Sequence, residues 1–357
     1  MMRDYVWHGN DEADNFVKKY FPSAKSILYI GSIGFDPRTL KTYQKFKEVA
    51  DCKITTLFIQ EERKQGSAAL RARAKSTKDK LAGELGRPPE ICNIPIFAED
   101  GATIGGTKLI EAISTQITDI SKYSDIVIDI CAMSRGIFFP LTKYLRDIIN
   151  ASGKDISLHI LVVDQPTVDY SYIPDYYDRA GWMKGFDGGA GLISGAGVAT
   201  KLWMPQLMSS RPTVYNTLHR FLAPDDVCPI LPFPGIRPKM VDELIMEYKD
   251  EITNVWNTEL QNIVLAAESD PLDTYHTVAR VHAERKKIFS RAFTILSPMG
   301  SKVSTIGGLL AAMDFDLPVA YVETLGYHEL PKSQQNPDLD DTERLVHVWV
   351  DGPIYKS

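Results

Sequence analysis

The sequence predicts an α/β fold: a Rossmann-like parallel sheet with flanking helices, built as two such units. Three observations predict it. Short apolar runs rich in β-branched residues recur along the first half, each followed by a segment of helical length. The runs stop at Gly, Ser or Asp, as strands feeding loops do. The same strand–loop–helix grammar resumes in the second half. Alternating strands and helices imply parallel βαβ units with helices on both faces of the sheet and right-handed crossovers.

The elements follow in order. Ser26 to Ile30 (SILYI) is the first strand, ending at Gly31-Ser32-Ile33-Gly34-Phe35-Asp36-Pro37-Arg38, with a helix from about Thr39. Lys53 to Ile59 is the second strand. A polar helix from Ser67 to Leu85 stops at Gly86 and Pro88. Ile91 to Phe97 is the third strand. Thr107 to Ile120 is a helix with Ile110, Ile113, Ile117 and Ile120 on one face. Asp125 to Ile130 is the fourth strand, Arg135 to Ile149 a helix and Ile156 to Val163 the fifth strand. Beyond the break, Lys201 to Leu207 reads as a strand, Thr213 to Phe221 as a helix and Val227 to Phe233 as a proline-broken edge strand. Met240 to Asn262 and Leu272 to Arg291 read as long helices. Phe293 to Leu296, Val319 to Thr324 and Val346 to Val350 read as strands, with a helix over Ser304 to Met313.

At 357 residues the chain exceeds one typical domain. Composition divides it into a Rossmann-like α/β domain (1–168), a Tyr/Gly-rich loop or linker (169–200) and a second α/β domain with long helices (201–357). The middle segment carries Tyr170, Tyr172, Tyr176 and Tyr177, then a run dense in glycine, which argues against a helix or central strand.

The 44% hydrophobic and 24% charged content is that of an ordinary globular protein. With a net charge of -6 there is no long basic face, so direct binding of long nucleic acid is not expected. The densest basic stretch, with Arg63, Lys64, Arg71, Arg73, Lys75, Lys78 and Lys80, reads as a solvated helix face. Cys52, Cys92, Cys131 and Cys228 form no CxxC pair and sit in apolar surroundings, which fits reduced thiols and a cytoplasmic location. Met1 to Asn10 has no signal-peptide stretch, and no apolar run is long enough to span a membrane.

In open parallel sheets, ligands bind outside the carboxyl ends of the strands, where helix N-termini offer free N–H groups and partial positive charge. Three loops fit that place. In the first, Gly31 and Gly34 allow a tight turn, Ser32 can donate a hydrogen bond and Arg38 can fork onto a phosphate. It matches neither GxGxxG nor GxxxxGK[ST]. In the second, Asp129 to Gly136, Ser134 and Arg135 open a helix. A basic residue there works against the macrodipole, which makes sense if an anion shares the site. In the third, Gly300, Ser301 and Lys302 do the same. Asp36, Asp129 and Asp164 stand at strand ends and are the candidate catalytic carboxylates. No metal site follows from spacing, although a Mg²⁺ ion held through these carboxylates and ligand phosphates is compatible with the pattern. The histidines show no HxH or HExxH spacing, and His159, inside an apolar strand, reads as a core residue.

Asp129, Ser134 and Arg135, and again Gly300, Ser301 and Lys302, form a strand, a small-residue turn with a basic residue, then a helix. This resembles the ligand loop of the CARF domain family, Rossmann-like sensors of cyclic oligonucleotides in prokaryotic antiviral systems. That loop commonly reads Asp-x-Thr-Gly-Gly-Thr-Lys; here its threonines and double glycine are absent. The resemblance implies a nucleotide- or anion-binding sensor or assembly protein in prokaryotic antiviral defence, with a nucleotide-like anionic ligand and a protein partner or homo-oligomer. The alternatives are a nucleotide-processing enzyme (a phosphodiesterase or glycosidase) using Asp36, Asp129 or Asp164, and a non-catalytic protein-interaction subunit.

Overall fold

The structure, a computed structural model, describes residues 2–49, 53–188, 200–209, 211–289, 291–331, 339 and 341–356. The chain is α/β and divides into two compact units.

The first unit spans Tyr5–Asp175 and takes in C-terminal segments. Its strands are β1 (Val6–Gly9), β2 (Ser26–Ser32), β3 (Lys53–Glu62), β4 (Ile91–Pro95), β5 (Asp125–Asp129), β6 (Ser157–Asp164) and, late in the chain, β14 (Arg344–Asp351). They form one seven-stranded sheet in the order β1-β14-β6-β5-β2-β3-β4. β6, β5, β2, β3 and β4 are parallel neighbours. β14 runs antiparallel to β6, and β1 antiparallel to β14. By position in the chain, the parallel strands run third, second, first, fourth, fifth. The reversal between β2 and β5 is a topological switch point, where doubly wound sheets open a crevice.

Local chemistry explains the crossovers. Ser67 Oγ accepts from the Leu70 N–H and starts the helix Ala68–Leu85, and Gly86 closes it in the left-handed conformation. Gly153 closes Arg135–Ser152 in the same way. Arg71, Lys75, Lys78 and Lys80 lie exposed on Ala68–Leu85, a solvated face. β5 and β6 are buried along their whole length, as strands covered on both faces must be.

The second unit spans Tyr176–Thr324 with the N-terminal residues. β7 (Tyr172–Trp182) leads the chain into it, and β13 (Ala320–Glu329), paired with β7, leads out. Between them lie β8 (Thr200–Pro205), β9 (Asp226–Val227), β10 (Ile230–Pro232), β11 (Val264–Ala266) and β12 (Ala292–Ser297). β12, β8 and β9 form one parallel set and β10 and β11 another. Parallel bridges at Gln206–Ile230 and Leu296–Val319 continue the sheet at both sides. The resulting sequence, β11, β9/β10, β8, β12, Val319, again runs third, second, first, fourth, fifth. Its core gathers Trp203, Tyr215, Tyr248, Trp256 and Ile295.

The helices Pro271–Ile288 and Lys302–Phe315 meet in this unit at Gly307. A Cβ there would lie 2.0 Å from the Pro271 carbonyl oxygen and 2.8 Å from Thr274 Cβ. Gly307→Ala is therefore expected to cost about 3 kcal/mol or more by overpacking, read as a lowered denaturant midpoint. A loss under about 1 kcal/mol would show that these helices part easily.

Several sequence expectations change. Val346 to Val350 belongs to β14 in the first unit rather than to a 201–357 domain. Leu345 to Asp351 is buried throughout, which requires a strand with neighbours on both sides. The segment 169–200 is not a loop from its start, because Tyr172–Trp182 is a strand. Tyr172, Ile173, Tyr176 and Tyr177 have strand-forming side chains, and their preference prevails there over the glycine bias that follows. Residues 189–199 of that segment lie outside the described residues, as does Cys52. Met240 to Asn262 is not one helix: Met240–Glu247 gives way to a π turn at Glu251–Val255 and a 3-10 turn at Leu260–Asn262. The β-branched and polar run Ile252 to Thr258 is a poor helix former, and Asn257 turns left-handed at φ 49. Val227 to Phe233 is two short strands. β1, β11 and the helix Asp11–Tyr20 had no sequence counterpart. Cys92, Cys131 and Cys228 are buried free thiols. Among the described residues no helix is long and apolar enough to cross a membrane.

Candidate functional site

Each unit has a switch point, and the three loops singled out by sequence all lie at one. The loops after β2 and β5 adjoin in the first unit: a Cβ on Gly34 would touch Ala132 Cβ at 3.9 Å. This crevice is filled by the protein's own groups. Arg38 is 1% exposed. Its Nε and NH2 donate to Asp36 at 3.0 and 2.8 Å, and NH1 and NH2 donate to Asp169 at 3.1 and 2.6 Å. NH1 also donates to the Val163 carbonyl. Burial alone would lower its pKa, but Asp169 and Asp36 outweigh that and hold it well above the usual value. Arg38 thus ties the loop after β2 to the segment after β6 and is not offered to a phosphate. Gly31 serves packing, since a Cβ would lie 3.0 Å from the Tyr29 ring and 3.1 Å from the Phe58 ring. Ser32 is buried at the end of β2.

The anion expected at the start of Arg135–Ser152 is present, and it comes from the chain itself. The Ser134 N–H donates to Glu61 Oε1 at 2.7 Å, and Arg63 pairs with Glu61 at 2.6 Å. Ser134 Oγ is buried without a hydrogen-bond partner. Arg135 is half-buried on the first turn. The candidate carboxylates are each engaged by internal partners. Asp36 is committed to Arg38. Asp129 accepts from the Tyr29 hydroxyl at 2.7 Å and the Cys131 N–H at 2.9 Å. Burial, then the Asp129 charge, pushes the Tyr29 hydroxyl well above its usual range. Asp164 is buried and engaged at the end of β6. Among the described residues no three His, Cys, Asp or Glu side chains gather to hold a metal.

The switch point of the second unit, between β8 and β12, is different. A small recess opens there, lined by Gln206, Glu268, Thr274, Gly300, Ser301 and Ser304 among others. Its size suits about one water molecule or one ligand functional group. Gln206 is 5% exposed; its Nε2 donates to the Ser304 carbonyl at 3.1 Å, while Oε1 is buried with no partner. Thr274 Oγ1 is likewise buried and unpartnered. Leaving such atoms unsatisfied costs on the order of 1–3 kcal/mol each, so a bound group that bonds to them gains that much. Glu268, also buried, accepts from the Ile236 N–H at 3.0 Å. Ser301 caps the helix Lys302–Phe315 by accepting from the Ser304 N–H at 3.2 Å, and Lys302 is the half-buried first helical residue. A Cβ at 300 would lie 2.5 Å from Ser304 Oγ, so any larger residue would turn that hydroxyl away.

The structure therefore separates the predicted ligand residues. Gly300 and Ser301 line a small recess, and Lys302 follows them as the first helical residue. Ser134 and Arg135 sit at a helix start already served by Glu61, and Gly31, Ser32 and Arg38 are interior. Sequence reasoning missed Gln206, Thr274 and Glu268. Gln206 had a signal: it is a polar residue at the end of the apolar run Leu202 to Leu207. Thr274 and Glu268 reach the recess from another strand–helix connection and had none.

No family model and no curated protein matches the chain. Solved structures that share features with it include the cytoplasmic domain of a prokaryotic cation chloride cotransporter, at 9% identity over 84% of this chain and 95% of that one, with a TM-score of 0.23. A putative UDP-N-acetylglucosamine 2-epimerase from Listeria monocytogenes is 10% identical over 83% and 78%, with a TM-score of 0.19. Overlap this slight carries no functional argument.

Proposed function

We propose that the chain is a nucleotide-binding sensor or assembly protein that takes an anionic, nucleotide-like ligand at the switch point of its second unit. The observation that carries this is the pair of buried, unpartnered oxygens, the acceptor Gln206 Oε1 and the Thr274 hydroxyl, beside the helix start at Gly300-Ser301-Lys302. With the Glu268 carboxylate in its lining, the recess favours a hydrogen-bond donor, such as a hydroxyl or amino group. The helix N-terminus and Lys302 favour a phosphate at the rim. A nucleotide supplies both. The enzyme reading gains no such support, since Asp36 and Asp129 are each bound into internal contacts. The CARF-like loops extend the proposal to a role in prokaryotic antiviral defence and to cyclic oligonucleotides as ligands.

The test is a thermal-shift panel of mononucleotides, NAD and cyclic oligonucleotides, with and without Mg²⁺, followed by analysis of the recovered ligand. A ligand at about a hundred times its Kd stabilises by about 2.7 kcal/mol, which for a chain of this kind raises Tm by roughly 5–11 °C. The shift is expected to vanish in Gln206→Leu and shrink in Lys302→Ala. A panel without any shift removes the proposal, and a ligand recovered in altered form favours the enzyme.

A further inference from the structure

Three histidines far apart in sequence line up in the first unit. His8 Nδ1 lies 3.0 Å from His347 Nδ1, His347 Nε2 lies 3.0 Å from His159 Nδ1, and His159 Nε2 lies 3.2 Å from Asp125 Oδ1. β1, β14, β6 and β5 each contribute one group, so the chain crosses four adjacent strands. His159 and His347 are fully buried, and His8 is partly exposed. Phe16 stacks on His347 and His8, with ring centroids 4.0 and 4.7 Å away. Tyr20, at the end of the same helix, donates its hydroxyl to Asp125 at 2.8 Å. The helix Asp11–Tyr20 thus meets this row through Phe16 and Tyr20.

The row has one polarity. Asp125 is a carboxylate that also accepts from Tyr20 and Ser124, so His159 Nε2 must donate to it. His159 Nδ1 then accepts, His347 Nε2 donates, His347 Nδ1 accepts and His8 Nδ1 donates. One added proton is absorbed by a tautomer shift at the partly exposed His8, which leaves His347 two acceptors; protons on both His347 and His159 set His347 Nε2–H against His159 Nδ1–H and break the row. Closed, the inner row has no place for a proton on both imidazoles; released, both can bind one.

We propose that the His8–His347–His159–Asp125 row is a pH-operated latch that docks the segment Val6–Tyr20 when neutral and releases it on protonation. The charged and titratable groups facing the row are Glu12 and Tyr20 from the helix and Asp125 from β5. Burial lowers the pKa of all three histidines, Glu12 and Asp125 opposing this at His8 and His159. A closed–neutral, open–protonated pair of states is the usual form of a histidine switch.

Nitrogen-15 NMR of the wild-type chain at about pH 7.5 is expected to show His8 as the Nδ1–H tautomer and His347 and His159 as Nε2–H. Native-state amide exchange, corrected for intrinsic rates, is expected to show Val6–Tyr20 opening more readily than β5. Between about pH 7.5 and 5.5 its protection is expected to fall by up to about tenfold for each histidine released. In His8→Phe, whose ring can keep the stack on Phe16, the pH slope is expected to drop by one proton. An Nδ1–H tautomer at His347, opening only together with β5, or protection that does not change with pH would each overturn the latch.

Discussion

Arg38→Met is expected to lower the stability of the first unit by about 3–5 kcal/mol, the measured range for breaking a buried ion pair from one side. Arg38 neutralises Asp36 and Asp169 in the interior, with bidentate geometry toward each. Methionine fills much of the space and leaves two carboxylates of like charge without the guanidinium between them. The predicted fall in Tm is roughly 6–20 °C, measured by calorimetry. Replacing all three groups together with apolar or amide side chains is expected to recover much of the loss, because a buried ion cluster is worth little more than good apolar packing. A single variant within about 1 kcal/mol of wild type would show that the cluster is hydrated or that its loops move apart freely.

Acidification from about pH 7.5 to 5.5 is expected to cost the first unit up to about 3 kcal/mol. His159 and His347 are fully buried, and burial lowers both pKa values from 6.5. The unfolded chain therefore takes up protons below about 6.5 that the fold does not. Stability is full above that pH and declines below it, at up to about 1.4 kcal/mol per pH unit for each histidine. Asp125 acts in a separate window. Burial works against its charge, but His159, Ser124 and Tyr20 together lower its pKa below 3.8, so its contribution holds above that value and is lost under it. Denaturant melts at stepped pH would give the slope. A flat profile between pH 7.5 and 5.5 would show that the folded row binds protons as readily as the unfolded chain.

How much of this was legible in the sequence depends on the range of the interactions involved. The first five parallel strands and their helices were legible because each is signalled locally: an apolar run such as DIVID or SLHILVVD, a cap such as Ser67, a glycine such as Gly86 or Gly153. The helix-start pattern at Gly300-Ser301-Lys302 was legible for the same reason. The same local grammar misled where a neighbour supplied the missing partner. Arg38 looked like a phosphate fork, and Arg135 looked like half of an anion site. Asp169, which answers Arg38, and Glu61, which takes the Ser134 N–H at the helix start, are distant from them in sequence.

The sequence by itself determined the α/β class, the alternation of strand and helix, and the loops at the carboxyl ends of strands. All three follow from side-chain period and turn chemistry over a few residues. Tertiary structure decided the repeated third-second-first-fourth-fifth strand order, the return of β14 to the first sheet, and which residues line the recess of the second unit. It also decided the meeting of His8, His159 and His347, which lie on three strands far apart in the chain. The physical reason is that hydrogen bonds between strands and ion pairs between loops are set by register and burial, and neither is written in any short stretch of chain.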